Sequence, residues 1–161
     1  MKKDPDMAKR SMMNQQVEFV NNPASQKAYH DTLALIAEPN AAPLYFHCKG
    51  GKDRTGYAAM LLLTVLGVEE SVIMYDYLLT NRAREKKNQR YLENFRKMAQ
   101  GDEAVAQYLF ALFKTEEAYL NAAIQEIKQN HGSIMSYIKD VLHISDEQIQ
   151  TIQSLYLETA L

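Results

Sequence analysis

Every proline in this chain lies at or before position 43, and the sequence beyond carries one helical pattern after another. Proline and glycine are what break helices, so their scarcity over so long a run commits most of the chain to helix. Residues 69–79, 82–100, 102–113 and 115–130 each read as a helix. His131-Gly132 closes the last of these, and Ser133 caps a short helix running through about Leu142. Ser145-Asp146-Glu147-Gln148 is a capping box opening a final helix, with Ile149, Ile152, Leu155 and Tyr156 on its inner face. Upstream, Asn21-Asn22-Pro23 separates two more helical patterns. The second builds an apolar face from Ala28, Leu33, Leu35 and Ile36 and stops before Pro39. Against these helices stands one short run, Leu44-Tyr45-Phe46, aromatic-rich like a buried strand. A lone strand leaves its own N–H and C=O groups without partners. The expected fold is therefore α/β, predominantly helical with one clear strand and an incomplete sheet. The missing strands are expected from weak ones near the N-terminus, from a longer protein of which this chain is part, or from a second copy.

Composition sets the outer limits. The chain has 161 residues, 47% hydrophobic and 24% charged, enough for a single packed domain over 1–161 and inconsistent with global disorder. Its 18 Lys and Arg against 20 Asp and Glu give a formal net charge of -2, without the basic excess of a dedicated nucleic-acid binder. One cysteine excludes an intramolecular disulfide framework and a two-thiol relay. The N-terminus lacks the apolar core of a signal peptide, and the longest apolar stretch, 57–66, falls well short of the ~20 residues a membrane-spanning helix needs. A cytoplasmic protein is expected, with export lacking a cleavable signal left open. His30, His47, His131 and His143 are scattered without ligand spacing, so neither a metal nor another cofactor is expected.

The chemistry concentrates in Leu44-Tyr45-Phe46-His47-Cys48-Lys49-Gly50-Gly51-Lys52-Asp53-Arg54-Thr55-Gly56. This reads as a strand, a tight loop and the first turn of a helix that ends on Gly67. Gly50 and Gly51 let the backbone curl with its N–H groups pointing inward, a nest for an anion. The helix dipole adds partial positive charge at the same place. Such a setting pushes a thiol at Cys48 toward thiolate, from ~8.5 to between ~3.5 and ~7.5. Arg54 presents a planar fork able to hold two phosphate oxygens at once. A thiolate beside a phosphate cradle is what covalent phosphoryl transfer requires. Gly51-Lys52 does not make a nucleotide-binding loop, because that motif places Ser or Thr after the lysine and here Asp53 follows.

This His-Cys-x-x-Gly-Lys-Asp-Arg-Thr-Gly loop, between an apolar strand and an apolar helix, resembles the active-site signature of the cysteine-dependent tyrosine phosphatases. The Lys-Asp-Arg-Thr variant is similar to the bacterial branch with tyrosine or dual specificity and phosphoinositide activity. The resemblance is specific over 44–67. It continues more loosely through Asp76-Tyr77-Leu78-Leu79-Thr80-Asn81, Tyr119-Leu120-Asn121-Ala122-Ala123 and His131-Gly132-Ser133 to Tyr137-Ile138. It implies a tyrosine-phosphatase-like α/β fold and hydrolysis of phosphotyrosine through a phosphocysteine intermediate, with phosphoserine/threonine or phosphoinositide monoesters as further substrates. Cys48 would be the nucleophile. Arg54 and the loop residues Lys49, Gly50, Gly51, Lys52 and Asp53 would bind the phosphoryl oxygens. His47 would orient the loop and help depress the thiol pKa, and Thr55 would hydrogen-bond the leaving thiolate. A satisfied strand-end histidine and a plain N-cap are their bland alternatives.

In the wider family the general acid is an Asp on a separate loop well before the cysteine. No carboxylate stands at that spacing here, which makes Asp53 the candidate; its alternative role is an ion pair with Lys52 or Arg54 that shapes the loop. The family's N-terminal strands are not recognisable, so the chain resembles the C-terminal half to two-thirds of such an enzyme, truncated, processed or completed by self-association. Lys49 and Lys52 suit a substrate with more than one phosphate, or plain electrostatic steering. Arg82, Arg84, Lys86, Lys87 and Arg90 read as a solvated helix face, with approach to an acidic membrane as the sharper reading. Residues 82–113 form a candidate helical lid; Val105, Tyr108, Leu109 and Leu112 share one face and Phe110 and Phe113 another, which ordinary core packing explains equally. The partners expected are a phosphorylated protein or phosphoinositide, and no nucleic acid. Two rivals stand against the enzyme. One is a catalytically incomplete phosphate-binding module or fragment. The other is a reductase of arsenate-reductase type, which needs a second thiol that this sequence lacks.

Overall fold

Side-chain capping fixes four of the helix starts in the computed structural model, which describes residues 5–158. Helices α1 (Pro5–Asn21) and α2 (Pro23–Ile36) are separated by Asn22, whose side chain accepts the N–H groups of Ala24 and Ser25. Then follow α3 (Asp53–Val65), α4 (Glu70–Ala83), α5 (Glu85–Met98), α6 (Glu103–Ala111), α7 (Glu117–His131), α8 (Ile134–Asp140) and α9 (Asp146–Tyr156). Asp102 caps α6 through the Val105 N–H, and Ser133 caps α8 through the Ser136 N–H. The capping box expected before α9 is complete: Ser145 and Gln148 each accept the other's backbone N–H.

Helix α3 is the central element. Its buried Tyr57, Met60, Leu61 and Val65 meet Tyr29, Leu33 and Ile36 of α2, Ile73 and Tyr77 of α4, and Leu120 and Ile124 of α7. Each such side chain contributes about 1.5–3 kcal/mol by leaving water. Helix α1 lies along α6 and α7, and α5 packs on α6. Two buried tyrosine hydroxyls tie distant segments together: Tyr137 donates to the Val20 carbonyl at 3.0 Å and Tyr119 to the Ala111 carbonyl at 2.8 Å. Gly56 lets α3 and α4 approach closely, since a Cβ there would lie 2.6 Å from the Tyr77 ring.

The expectation of an α/β fold with one clear strand is overturned. Among the described residues there is no strand and no sheet; the protein is all-helical. Residues 44–48 run irregularly beside the helices without ladder hydrogen bonds. Their burial does alternate. Leu44 and Phe46 pack against the core, whereas Tyr45 is 86% exposed and stacks on the exposed His47. The aromatic-rich run reads as a buried strand, but the exposed Tyr45 shows that it is not buried throughout, and a strand needs in addition a neighbouring backbone to pair with. The idea that self-association completes a sheet loses its premise with the sheet itself.

Candidate active site

The loop from Cys48 to Thr55 is held from within. The Gly51 N–H donates to the Cys48 carbonyl at 3.2 Å, closing the turn. Gly51 itself adopts φ +61°, a left-handed conformation that side chains disfavour. At the far end, Thr55 in the first turn of α3 accepts the Cys48 N–H on its Oγ1 at 3.0 Å. That bond fixes the hydroxyl, leaving its own proton to donate to the Cys48 sulfur. Partial burial pushes the thiol up, but the Thr55 hydroxyl and the N–H groups of Thr55, Lys52 and Gly50 outweigh it, bringing Cys48 down to about 6. The sulfur is therefore largely thiolate at neutral pH.

Lys52 is 6% exposed, and its ammonium lies 3.0 Å from Asp53 Oδ2 and donates to Asp53 Oδ1 at 3.1 Å. The same ammonium donates to the Lys114 carbonyl at 3.3 Å. Arg84, the single residue between α4 and α5, donates from Nη1 to the Gly50 carbonyl. The loop is thus fastened to both ends of the α5–α6 pair.

Two cavities meet at Cys48 and Arg54. One, about 330 Å³, is lined by the loop from Cys48 to Gly50 and from Lys52 to Arg54, by Arg84 and Lys87, and by Tyr91 and Phe113. The other, about 280 Å³, lies beyond the sulfur against Tyr29, Phe46, His47 and Thr55. Arg54 is exposed and faces both cavities, free to receive an anion. The first cavity suits an aryl phosphate, with cations around the sulfur and aromatic walls further out.

Of the residues expected from the sequence, the structure brings Cys48, Lys49, Gly50, Lys52, Asp53 and Arg54 to one cavity, and places Gly51 at the turn that shapes it. Thr55 faces the sulfur. His47 lines the second cavity, its ring stacked on Tyr45 at 5.4 Å. The sequence reading passed over Gln15; it included Tyr91 and Phe113 only within the candidate lid and Asn81 only within a stretch of looser resemblance, with no site role for any of them. It took Arg84 and Lys87 for a solvated face. Their nearness to Cys48 arises from the packing of α1, α4 and α5, which no local pattern announces. Among the described residues no group of His, Cys, Asp and Glu is arranged to hold a metal ion, and no helix is long and apolar enough to cross a membrane.

Cys48 and Arg54, with five residues between them, face the same two cavities, Arg54 from the first turn of α3. Residues 1–158 match the sequence model of the tyrosine phosphatase family, and the chain belongs to that family. It is similar to a Cupriavidus necator protein named among the tyrosine-protein phosphatases, at 36% identity over 66% of this chain and 38% of the relative. It is also similar to the triple specificity protein phosphatase PtpB of Mycobacterium tuberculosis, at 30% identity over 84% of this chain and 51% of the relative. The chain thus spans about half or less of the length of these curated relatives.

Proposed function

We propose that this protein is a cysteine-dependent phosphatase acting on phosphotyrosine, with phosphoserine/threonine and phosphoinositide monoesters as further substrates. The observation that carries the reading is the Cys48 thiol, lowered to about 6 in a loop whose amides converge on it. Cys48 Sγ attacks phosphorus as the bond to the leaving oxygen breaks, and Asp53 gives that oxygen a proton. Arg54 and the loop N–H groups hold the phosphoryl oxygens, whose charge is spread in the transition state. Water then attacks the phosphocysteine, handing a proton to the Asp53 carboxylate. The thiolate departs with Thr55 donating to it, and inorganic phosphate leaves. Arg84 and Lys87 beside Lys49 favour substrates with added negative charge, and the relative named for triple specificity supports the breadth. The 82–113 segment, whose α5–α6 pair walls the cavity, serves as a lid in this reading.

The test is hydrolysis of p-nitrophenyl phosphate by this chain in chelator, beside Cys48→Ser. Turnover lost in the variant is expected. Tight phosphate binding without turnover by the folded, reduced protein would replace the enzyme with a phosphate-binding module.

A further inference from the structure

Asn81, in the last turn of α4, bonds to the chain that holds the phosphate loop in place. Its Nδ2 donates to the Thr115 carbonyl at 2.8 Å, and its Oδ1 accepts the Thr115 N–H at 3.0 Å. This is a two-point clamp on the junction between α6 and α7. Asn88 Nδ2 lies 3.5 Å from the same Oδ1 and steadies it. One residue before the clamp, the Lys114 carbonyl takes the Lys52 ammonium at 3.3 Å. That ammonium in turn sits 3.0 Å and 3.1 Å from the two Asp53 oxygens. A continuous chain of short contacts therefore runs from Asn81 through 114–115 and Lys52 to Asp53.

Each link has a reason. A buried ammonium must satisfy its three protons, and Lys52 does so with one carboxylate and one carbonyl. A lysine stem is flexible, so its head is fixed only as well as its acceptors are. The Lys114 carbonyl is the acceptor outside the loop, and it stays put because Asn81 accepts the N–H of that same peptide unit and donates to the carbonyl of the next. The surroundings are costly for a purely structural joint. Arg84 Nε, Asn88 Oδ1 and Thr115 Oγ1 are buried without a hydrogen-bond partner among the described residues. Apolar side chains would fill this junction at less cost to stability.

We propose that Asn81 is a positioning residue for the reaction: through the 114–115 backbone and Lys52, it holds the Asp53 carboxyl in the direction from which the leaving oxygen receives its proton. The inference rests on Asp53 being the general acid. Leaving-group dependence reads it directly, because nitrophenolate departs without a proton and phenolate does not. Asp53→Asn is expected to lower kcat/KM on phenyl phosphate about 100-fold, and far less on p-nitrophenyl phosphate. Asn81→Ala is expected to show the same selectivity at about tenfold on phenyl phosphate, and to add nothing in the Asp53→Asn background. Asn81→Asp, which keeps the acceptor for the Thr115 N–H and loses the donor, should fall between and carries the test if Asn81→Ala does not fold. Equal losses on both esters in the Asn81 variants, or additive losses in the double variant, overturn the inference while leaving Asp53 as the acid. Equal losses on both esters in Asp53→Asn overturn the acid and the inference with it.

Discussion

The Cys48 thiol and the Thr55 hydroxyl form the smallest unit with a chemical property of its own. Thr55 Oγ1 accepts from the Cys48 N–H at 3.0 Å, so the hydroxyl proton is aimed at the sulfur before any substrate arrives. Removing that proton disfavours the thiolate, and the thiol must titrate higher. Iodoacetamide alkylates the thiolate, so its rate should rise with pH through a midpoint at about 6 in the protein as it stands. In Thr55→Ala the midpoint should move up toward the ~8.5 of an ordinary thiol. A Thr55→Ala midpoint still at about 6 would put the whole depression on the loop amides. His47→Ala should leave the midpoint where it is, since the groups that lower the thiol are the Thr55 hydroxyl and the N–H groups of Thr55, Lys52 and Gly50. Cys48, Asp53 and Arg54 could be named as one candidate set because the loop that joins them is contiguous in sequence. That Arg84, Tyr91 and Phe113 line the same cavity depends on the packing of α4, α5 and α6.

Helices show which of their own features are written locally. The box at Ser145 and Gln148 needs four consecutive residues and nothing else, and it was readable as such. Ser145→Ala should cost about 0.5–2 kcal/mol, seen as a lower Tm, with hydrolysis of p-nitrophenyl phosphate unchanged. Gly56 is the opposite case. Within α3, Gly→Ala gains up to about 1 kcal/mol of helix propensity, whereas the new Cβ meets the Tyr77 ring at 2.6 Å. Tyr77 is buried and its ring cannot swing clear, so overpacking at about 1–3 kcal/mol wins and Gly56→Ala lowers Tm, by roughly 2–4 °C for each kcal/mol. The variant should also lose activity, because pushing α4 outward moves Asn81 and Arg84, which hold the loop. A Gly56→Ala protein with raised Tm and full activity would show that α3 and α4 have slack between them.

At the scale of the molecule, a hydrophobic cluster reaching from Val20 to Ile152 is wrapped by helices, and residues 44–48 lie along its flank. The sequence announced the helices through period and caps, and suggested a strand at 44–46 through an aromatic-rich run. Whether such a segment becomes a strand depends on a second backbone, which its own residues do not encode. Hydrogen exchange of this chain separates the two outcomes. The amides of Tyr45, Phe46 and His47 have no helix or ladder bonds and should exchange at the earliest times; the buried turns of α3, Tyr57 to Val65, should exchange last. The Cys48 amide, bonded to Thr55 Oγ1, should lie between. These rates are expected to be the same in dilute and concentrated protein. Protection at 45–47 that grows with concentration would mean that a second copy pairs with the segment, and the loop it leads into would then depend on assembly. Exchange that is fast at every concentration fits a Cys48–Thr55 loop held by helices alone, through Thr55, Lys52 and Arg84.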